Sequence, residues 1–125
     1  MICGIGIDIV CVAEIAASIE EDGDEFLHRV FTPNEIQYCD ESTIRYQRYA
    51  ARFAAKEAAM KALSTGWDSG IDPQDIEVLN EQSGQPILLI QGETNQWLEN
   101  LGVVKKWVSL THGPDYAIAQ VIFEK

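Results

Sequence analysis

Asp8, Glu57 and Lys61 are the residues of this sequence whose types and positions suit the handling of a phosphate ester. Asp8 lies near the end of an otherwise apolar run and shares its face with Gly4 and Gly6, so its carboxylate stands where backbone or ligand can approach closely. Its plainer reading is a turn or helix cap, although Ile9-Val10 follows rather than a turn signature. Glu57 precedes Lys61 by four residues in a helical stretch, and by itself that is an ordinary surface pair. Small residues at 50, 51, 54, 55, 58, 59 and 62 let another element, such as the first strand, pack closely there and bring Asp8 to Glu57. Two carboxylates completed by water and substrate oxygens suit Mg²⁺, which takes one or two protein carboxylates together with phosphate. Lys61, Lys56 and the row Arg45, Arg48, Arg52 have the charge to neutralise phosphate groups, the row's alternative being a solvated helix face.

Other chemistries find less support. His112 ends a strand beside Thr111 and Ser109, where a lone histidine more often packs or hydrogen-bonds than catalyses. No Ser-His-Asp or Cys-His order stands out. The chain has no Gly-x-x-x-x-Gly-Lys loop, and Gly4-x-Gly6 is not followed by the third glycine and helix of a dinucleotide site.

The elements that must position these residues follow from periodicity. Met1 to Val10 alternates Ile5, Ile7 and Ile9 against Gly4, Gly6 and Asp8, a period of two that predicts a strand. Val12, Ile15, Ala16 and Ile19 recur at helical spacing up to Glu21. Asp22-Gly23-Asp24 interrupts before Phe26, Leu27 and Val30 resume. Thr32-Pro33-Asn34-Glu35 predicts a helix start, with Thr as N-cap, Pro first in the helix and Glu closing a capping box, for a helix to about Cys39. Thr43 to Leu63 is the strongest helix, with a stop expected at Gly66. Tyr46, Tyr49, Phe53 and Met60 form its apolar stripe, with Arg45, Arg48, Arg52 and Lys56 beside it and Glu57 with Lys61 on the other side. Asp75–Leu79 and Pro86–Ile90 form a hairpin through Ser83-Gly84-Gln85, and Thr94–Leu101 a short helix. Lys105–His112 and Tyr116–Phe123 form a second hairpin through Gly113-Pro114-Asp115. The order is α+β, a long central helix on a small, mostly antiparallel sheet.

With 125 residues and no linker-like break, residues 1–125 are expected to form a single domain. No uncharged stretch approaches the ~20 apolar residues of a membrane span, and no basic region precedes the first apolar run, so a cytoplasmic protein is expected. Three cysteines without a C-x-x-C pair indicate neither a disulfide framework nor a zinc site. The net charge of −11 argues against nucleic acid and anionic membrane as general partners. That charge is uneven: residues 11–41 carry −8, residues 42–63 carry +4, and residues 64–125 carry −6.

Five motifs together resemble one family. Gly4-Ile5-Gly6-Ile7-Asp8-Ile9-Val10, Phe31-Thr32-Pro33-Asn34-Glu35, Arg52-Phe53-Ala54-Ala55-Lys56-Glu57-Ala58-Ala59-Met60-Lys61-Ala62, Gly84-Gln85-Pro86 and Val108-Ser109-Leu110-Thr111-His112 are similar, in order and spacing, to the holo-acyl-carrier-protein synthases, the short class of phosphopantetheinyl transferases. The resemblance covers essentially the whole chain. It implies an α+β fold, a homotrimer binding coenzyme A in clefts between subunits, and transfer of the phosphopantetheine arm to a serine of an apo acyl carrier protein. The other product is then adenosine 3′,5′-bisphosphate, and the pathway served is fatty-acid biosynthesis, within lipid metabolism, or polyketide synthesis. It further implies Asp8 and Glu57 as Mg²⁺ ligands, and Asp8, Glu57 and Lys61 as the catalytic group. Arg52, Lys61, Gly84, Pro86, Ser109, Thr111 and His112 become coenzyme A contacts. Glu57 or a water are candidate bases, with Lys56 orienting either. Two further function classes fit the residues: a coenzyme A-binding module without transfer, and another Mg²⁺-dependent phosphate enzyme. The chain departs from the family pattern in its first helix, which is acidic (Glu14, Glu20, Glu21, Asp22, Asp24, Glu25) where family members carry basic residues to grip an acidic carrier. It departs also at Gly113, which supplies no side chain where relatives often have a polar or acidic one.

Overall fold

The structure, a computed structural model, describes residues 1–63 and 70–125. Strand β1 (Ile2–Cys11) runs directly into helix α1 (Val12–Asp22), whose start is held by Val12 N–H donating to Asp115 O at 2.9 Å. Gly23 takes φ +54° and breaks the chain into α2 (Asp24–Val30), as the Asp-Gly-Asp interruption predicts. Helix α3 (Pro33–Asp40) starts with the expected capping box. Thr32 Oγ1 accepts from Glu35 N–H, and Glu35 Oε1 accepts from Thr32 N–H at 2.8 Å. Then follow α4 (Arg45–Ala62), a 3₁₀ turn (Pro73–Asp75), β2 (Ile76–Asn80), β3 (Pro86–Ile90), α5 (Gly92–Asn100), β4 (Lys105–His112) and β5 (Tyr116–Glu124). The stop expected at Gly66 lies outside the described residues.

Two antiparallel sheets form, β1-β5-β4 and the β2-β3 hairpin, which is the α+β arrangement expected. Helix α4 lies across the three-stranded sheet, and what allows this is glycine. A Cβ at Gly6 would fall 1.7 Å from the carbonyl oxygen of Ala58, and one at Gly4 would fall 2.2 Å from that of Ala62. Only a strand without side chains at these two positions can lie against the helix backbone, and only a helix face of alanines leaves that backbone bare. The core is then built from Ala50, Ala54, Ala58 and Met60 of α4 against Ala117, Ala119, Val121 and Phe123 of β5.

The alternation of β1 is therefore turned so that Gly4, Gly6 and Asp8 face the helix and Ile5, Ile7 and Ile9 face outward, each more than half exposed. The register continues this outward face across the sheet. Ile5 pairs with Ile122 and Ile122 with Trp107; Ile9 pairs with Ile118 and Ile118 with Thr111.

Candidate active site

The packing of β1 on α4 decides where Asp8 goes. It follows Gly4 and Gly6 on the inward face, so it meets α4 beside Ala58 and Ala62, where Lys61 projects. Lys61 Nζ donates to Asp8 Oδ1 at 2.9 Å and to the carbonyl of Ile7 at 3.0 Å. Hydrogen bonding to Asp8 raises the Lys61 pKa above its ordinary value, so the ammonium persists throughout the neutral range. Asp8 is 9% exposed, and its second oxygen, Oδ2, is buried without a hydrogen-bond partner among the described residues.

Asp8 and Glu57 line one cavity of about 270 Å³, closed by Ile9 to Cys11 of β1, Glu14, Ile15 and Ser18 of α1, Phe26 and Phe53. The structure thus brings Asp8, Glu57 and Lys61 together, as the alanine-rich helix predicts. A buried carboxylate oxygen with no donor, on a residue that shares a cavity wall with a second carboxylate, fits a hard cation, because burial of an unpaired anionic oxygen is otherwise costly. Among the described residues no group of three or more His, Cys, Asp or Glu side chains could hold a metal. The donor set on this wall is two carboxylates, the number that Mg²⁺ takes together with water and phosphate.

The remaining site candidates stand elsewhere in the chain. Arg52, five residues before Glu57 and nine before Lys61, points away from them around the helix axis. It is buried, stacks 4.0 Å from the Tyr38 ring, and donates to Asn80 Oδ1. Asn80 Nδ2 in turn donates to Gly84 O at 2.9 Å, so Arg52, Gly84 and the adjoining Pro86 form one group at the β2-β3 hairpin. Ser109 and Thr111 lie on the outward face of β4, and His112 on its inward side, where Nδ1 meets Gln47 Oε1 at 2.9 Å.

Lys56 is a correction. Expected to offset phosphate charge or to orient the base, it is fully buried. Its Nζ pairs with Glu35 Oε1 at 2.8 Å and donates to the carbonyls of Pro73 at 2.9 Å and Ile76 at 2.6 Å. Burial lowers its pKa, with Glu35 opposing. Glu35 is occupied on both oxygens, Oε2 accepting from Val78 N–H at 2.9 Å. The rest of the basic row is also held locally. Arg45 pairs with Asp40 at 3.1 Å, and Arg48 donates to Tyr38 O at 2.8 Å while lying over the Tyr38 ring. Helix periodicity places these cations on one face, but that face meets α3 and the hairpin rather than a ligand. Sequence reasoning missed the walls contributed by α1, above all Glu14, because nothing local indicates that α1 folds back beside the end of β1.

Three kinds of comparison agree with this geometry. Residues 4–121 match the 4′-phosphopantetheinyl transferase superfamily. The holo-[acyl-carrier-protein] synthase of Solibacter usitatus is 47% identical over 124 residues and that of Koribacter versatilis 48%, each alignment covering 99% of both chains. The crystal structure of the Neisseria meningitidis holo-[acyl-carrier-protein] synthase superposes with a TM-score of 0.91 at 32% identity, covering 100% of each chain. That of Helicobacter pylori, solved in complex with coenzyme A, gives 0.84 at 29% identity, covering 96% of this chain and 99% of its own. With the family match spanning nearly the whole chain and the carboxylate–lysine cluster where β1 meets α4, this protein belongs to the 4′-phosphopantetheinyl transferase superfamily.

Proposed function

We propose that this protein is a holo-[acyl-carrier-protein] synthase, transferring the 4′-phosphopantetheine arm of coenzyme A to a serine of an apo acyl carrier protein. The observation that carries the reading is that Asp8 and Glu57 line one cavity and Lys61 donates to Asp8, in a chain aligned end to end with such synthases. The serine oxygen forms a new bond to the phosphorus bearing the pantetheine arm. The bridging P–O bond breaks, and adenosine 3′,5′-bisphosphate leaves. Such transfers need positioning and charge neutralisation more than covalent help. Asp8 and Glu57 would hold Mg²⁺, which when bound neutralises pyrophosphate charge. Lys61, fixed by Asp8 and the Ile7 carbonyl, offsets the charge growing on the bridging oxygen. Glu57, half-buried on the cavity wall, or a water beside it would receive the serine proton.

Coenzyme A binding calls for more than one copy of the chain. A cavity of about 270 Å³ is at or below the ~300–1,000 Å³ that pockets for drug-sized ligands occupy. The Gly84–Pro86 turn and the Ser109, Thr111 and His112 group do not line it. The outward sheet face, with Ile5, Ile7, Ile9, Trp107 and Tyr116 exposed, is an apolar patch of the kind that marks an interface. A homotrimer covering that face supplies the missing walls, with Ser109 and Thr111 in the seam. Arg52 contributes by bracing the Gly84 turn through Asn80. Three free thiols and the lack, among the described residues, of any helix long and apolar enough to cross a membrane support a cytoplasmic enzyme.

The test is incubation with coenzyme A, Mg²⁺ and a panel of apo carrier proteins. A mass gain of one phosphopantetheine on a carrier serine, dependent on Mg²⁺, is expected, and no gain on any carrier would overturn the reading. Light scattering should give three chains per particle. Ile7→Glu should give single chains with weakened coenzyme A binding.

A further inference from the structure

The β2-β3 hairpin forms a sheet of its own, so no strand ladder among the described residues fixes its place against the three-stranded sheet. Arg52 braces its turn through Asn80, and its root is held by side chains acting on three successive residues of β2. Lys56 Nζ donates to Ile76 O at 2.6 Å, and Glu35 Oε2 accepts from Val78 N–H at 2.9 Å. Between them, Glu77 Oε2 accepts from Thr32 Oγ1 and, at 3.4 Å, from Asn34 Nδ2. Glu77 belongs neither to the buried Lys56–Glu35 pair nor to the walls of the Asp8 cavity. Its placement inverts the ordinary order. Glu77 is 5% exposed, whereas Leu89, opposite it in the hairpin and so on the same face, is 45% exposed. Burial of apolar surface alone would exchange the two. A carboxylate in that place carries a desolvation cost, and its donors at the start of α3 supply what an apolar residue cannot, a directional hold on β2.

We propose that Glu77 is a positioning residue for coenzyme A. The hairpin is short and paired along its whole length, so a shift at Glu77 is carried to the Gly84–Pro86 turn. Thr32, through its capping bonds to Glu35 and the Glu35–Lys56 pair, is tied to α4, the helix of Glu57 and Lys61. Glu77 thereby sets where the turn stands relative to those two residues. The inference rests on the transferase reading above, in which that turn contacts coenzyme A, and names the residue that holds the contact in place.

The experiment measures, on the full chain, kcat, KM for coenzyme A and for a carrier, and the Kd of coenzyme A by calorimetry. In E77L the root of the hairpin loses its hold, and KM and Kd for coenzyme A should rise about tenfold, since a small misplacement of a binding group is costly. Bound coenzyme A reseats the turn, so kcat and KM for the carrier should keep their wild-type values. E77Q keeps an acceptor oxygen for Thr32 and Asn34 and should restore wild-type affinity. N34A, at an exposed position, removes only the longer bond and should raise KM and Kd for coenzyme A about two- to threefold. Lost stability or lost kcat in E77L with KM and Kd for coenzyme A unmoved would leave Glu77 a structural role only and overturn the proposal. So would an E77Q as impaired as E77L. Where E77L does not fold, N34A decides, and unmoved KM and Kd in it overturn the proposal. A wild type that binds coenzyme A but modifies no carrier would overturn the transferase reading and leave this inference to the Kd values. A wild type that binds no coenzyme A would overturn both.

Discussion

Helix α4 carries two lysine–carboxylate pairs five residues apart, and they do opposite things. Lys56 with Glu35 is sealed in the protein, both side chains fully buried, with the lysine bonded to Glu35 and to the carbonyls of Pro73 and Ile76 and lying over the Phe31 ring. Lys61 with Asp8 has a lysine that is half exposed and a carboxylate with one oxygen engaged and the other unpartnered. The first pair is complete and has no valence left for a ligand. The second is incomplete at Asp8 Oδ2. Reactivity here follows from what a polar group lacks rather than from its charge, since the two pairs have the same charge and nearly the same length.

The contrast can be broken first at the sealed pair. Glu35→Gln leaves Lys56 as a buried, unpaired cation and turns an amide N–H₂ toward either Lys56 or the Val78 N–H donor. Removing one partner of a buried pair costs about 3–5 kcal/mol. That is a large share of the ~5–15 kcal/mol by which a domain is stable, so the midpoint of denaturant unfolding should fall steeply. Glu35→Gln with Lys56→Met should recover part of the loss. Turnover per folded molecule should be kept at a temperature well below melting. A single variant as stable as wild type would mean that this pair, too, has slack.

At the open pair the expectation reverses. Asp8→Asn keeps the shape and an acceptor for Lys61 but removes the charge at Oδ2. Altering even an outer partner of a metal site costs about 10–100-fold, so transfer should fall on the order of a hundredfold or more, about 2.7 kcal/mol of barrier. The unfolding midpoint should be unchanged or should rise, because a buried anionic oxygen without a donor is gone. Steady-state kinetics and denaturation on the same preparation decide between this and a structural role.

Gly6→Ala couples the two behaviours. Its Cβ would meet Ala58 O at 1.7 Å and Ala62 N at 2.8 Å, which are backbone atoms that cannot rotate away, so β1 must lift from α4. Overpacking of this kind costs about 1–3 kcal/mol. Because Asp8 follows two residues later on the same face, transfer should fall with stability, by less than in Asp8→Asn. A variant that loses stability but keeps full transfer would show that Asp8 is positioned independently of the strand's seat.

These variants also mark what could be read from the chain. The open site was legible because its determinants are local: alternation places Asp8 with Gly4 and Gly6, and the i, i+4 spacing places Glu57 with Lys61. The close approach of strand to helix was legible in the small residues of both. Which face of β1 turns inward was not, since an apolar–polar alternation ordinarily buries its isoleucines. Here the bare glycine face is buried, because a helix backbone fits only there. The sealed pair was illegible for another reason. Glu35 reads fully as a capping residue, and nothing within a turn of it indicates a lysine 21 positions later. Lys56 in turn shares its stripe with three arginines, and only the docking of α3 and the hairpin separates its fate from theirs.

The smallest effect is the one that separates the two lysines by titration. Burial lowers Lys56 below the usual 10.5, against the pull of Glu35, whereas the Asp8 hydrogen bond raises Lys61 above it. Between the lowered Lys56 value and 10.5 the folded chain binds fewer protons at this residue than the unfolded one, so this residue makes stability rise with pH there. Lys61 acts in the other sense: its contribution is full below 10.5 and is lost as pH climbs through its raised folded value. Nuclear magnetic resonance of the lysine side chains at alkaline pH should therefore show Lys56 losing its proton before, and Lys61 after, the unperturbed lysines. Asp8→Asn should move only Lys61, back toward 10.5. If the two lysines titrated together in the wild type, the difference between a sealed and an open ion pair would have no consequence for proton affinity. The open pair would then have to draw its chemistry from the unpartnered Asp8 oxygen alone.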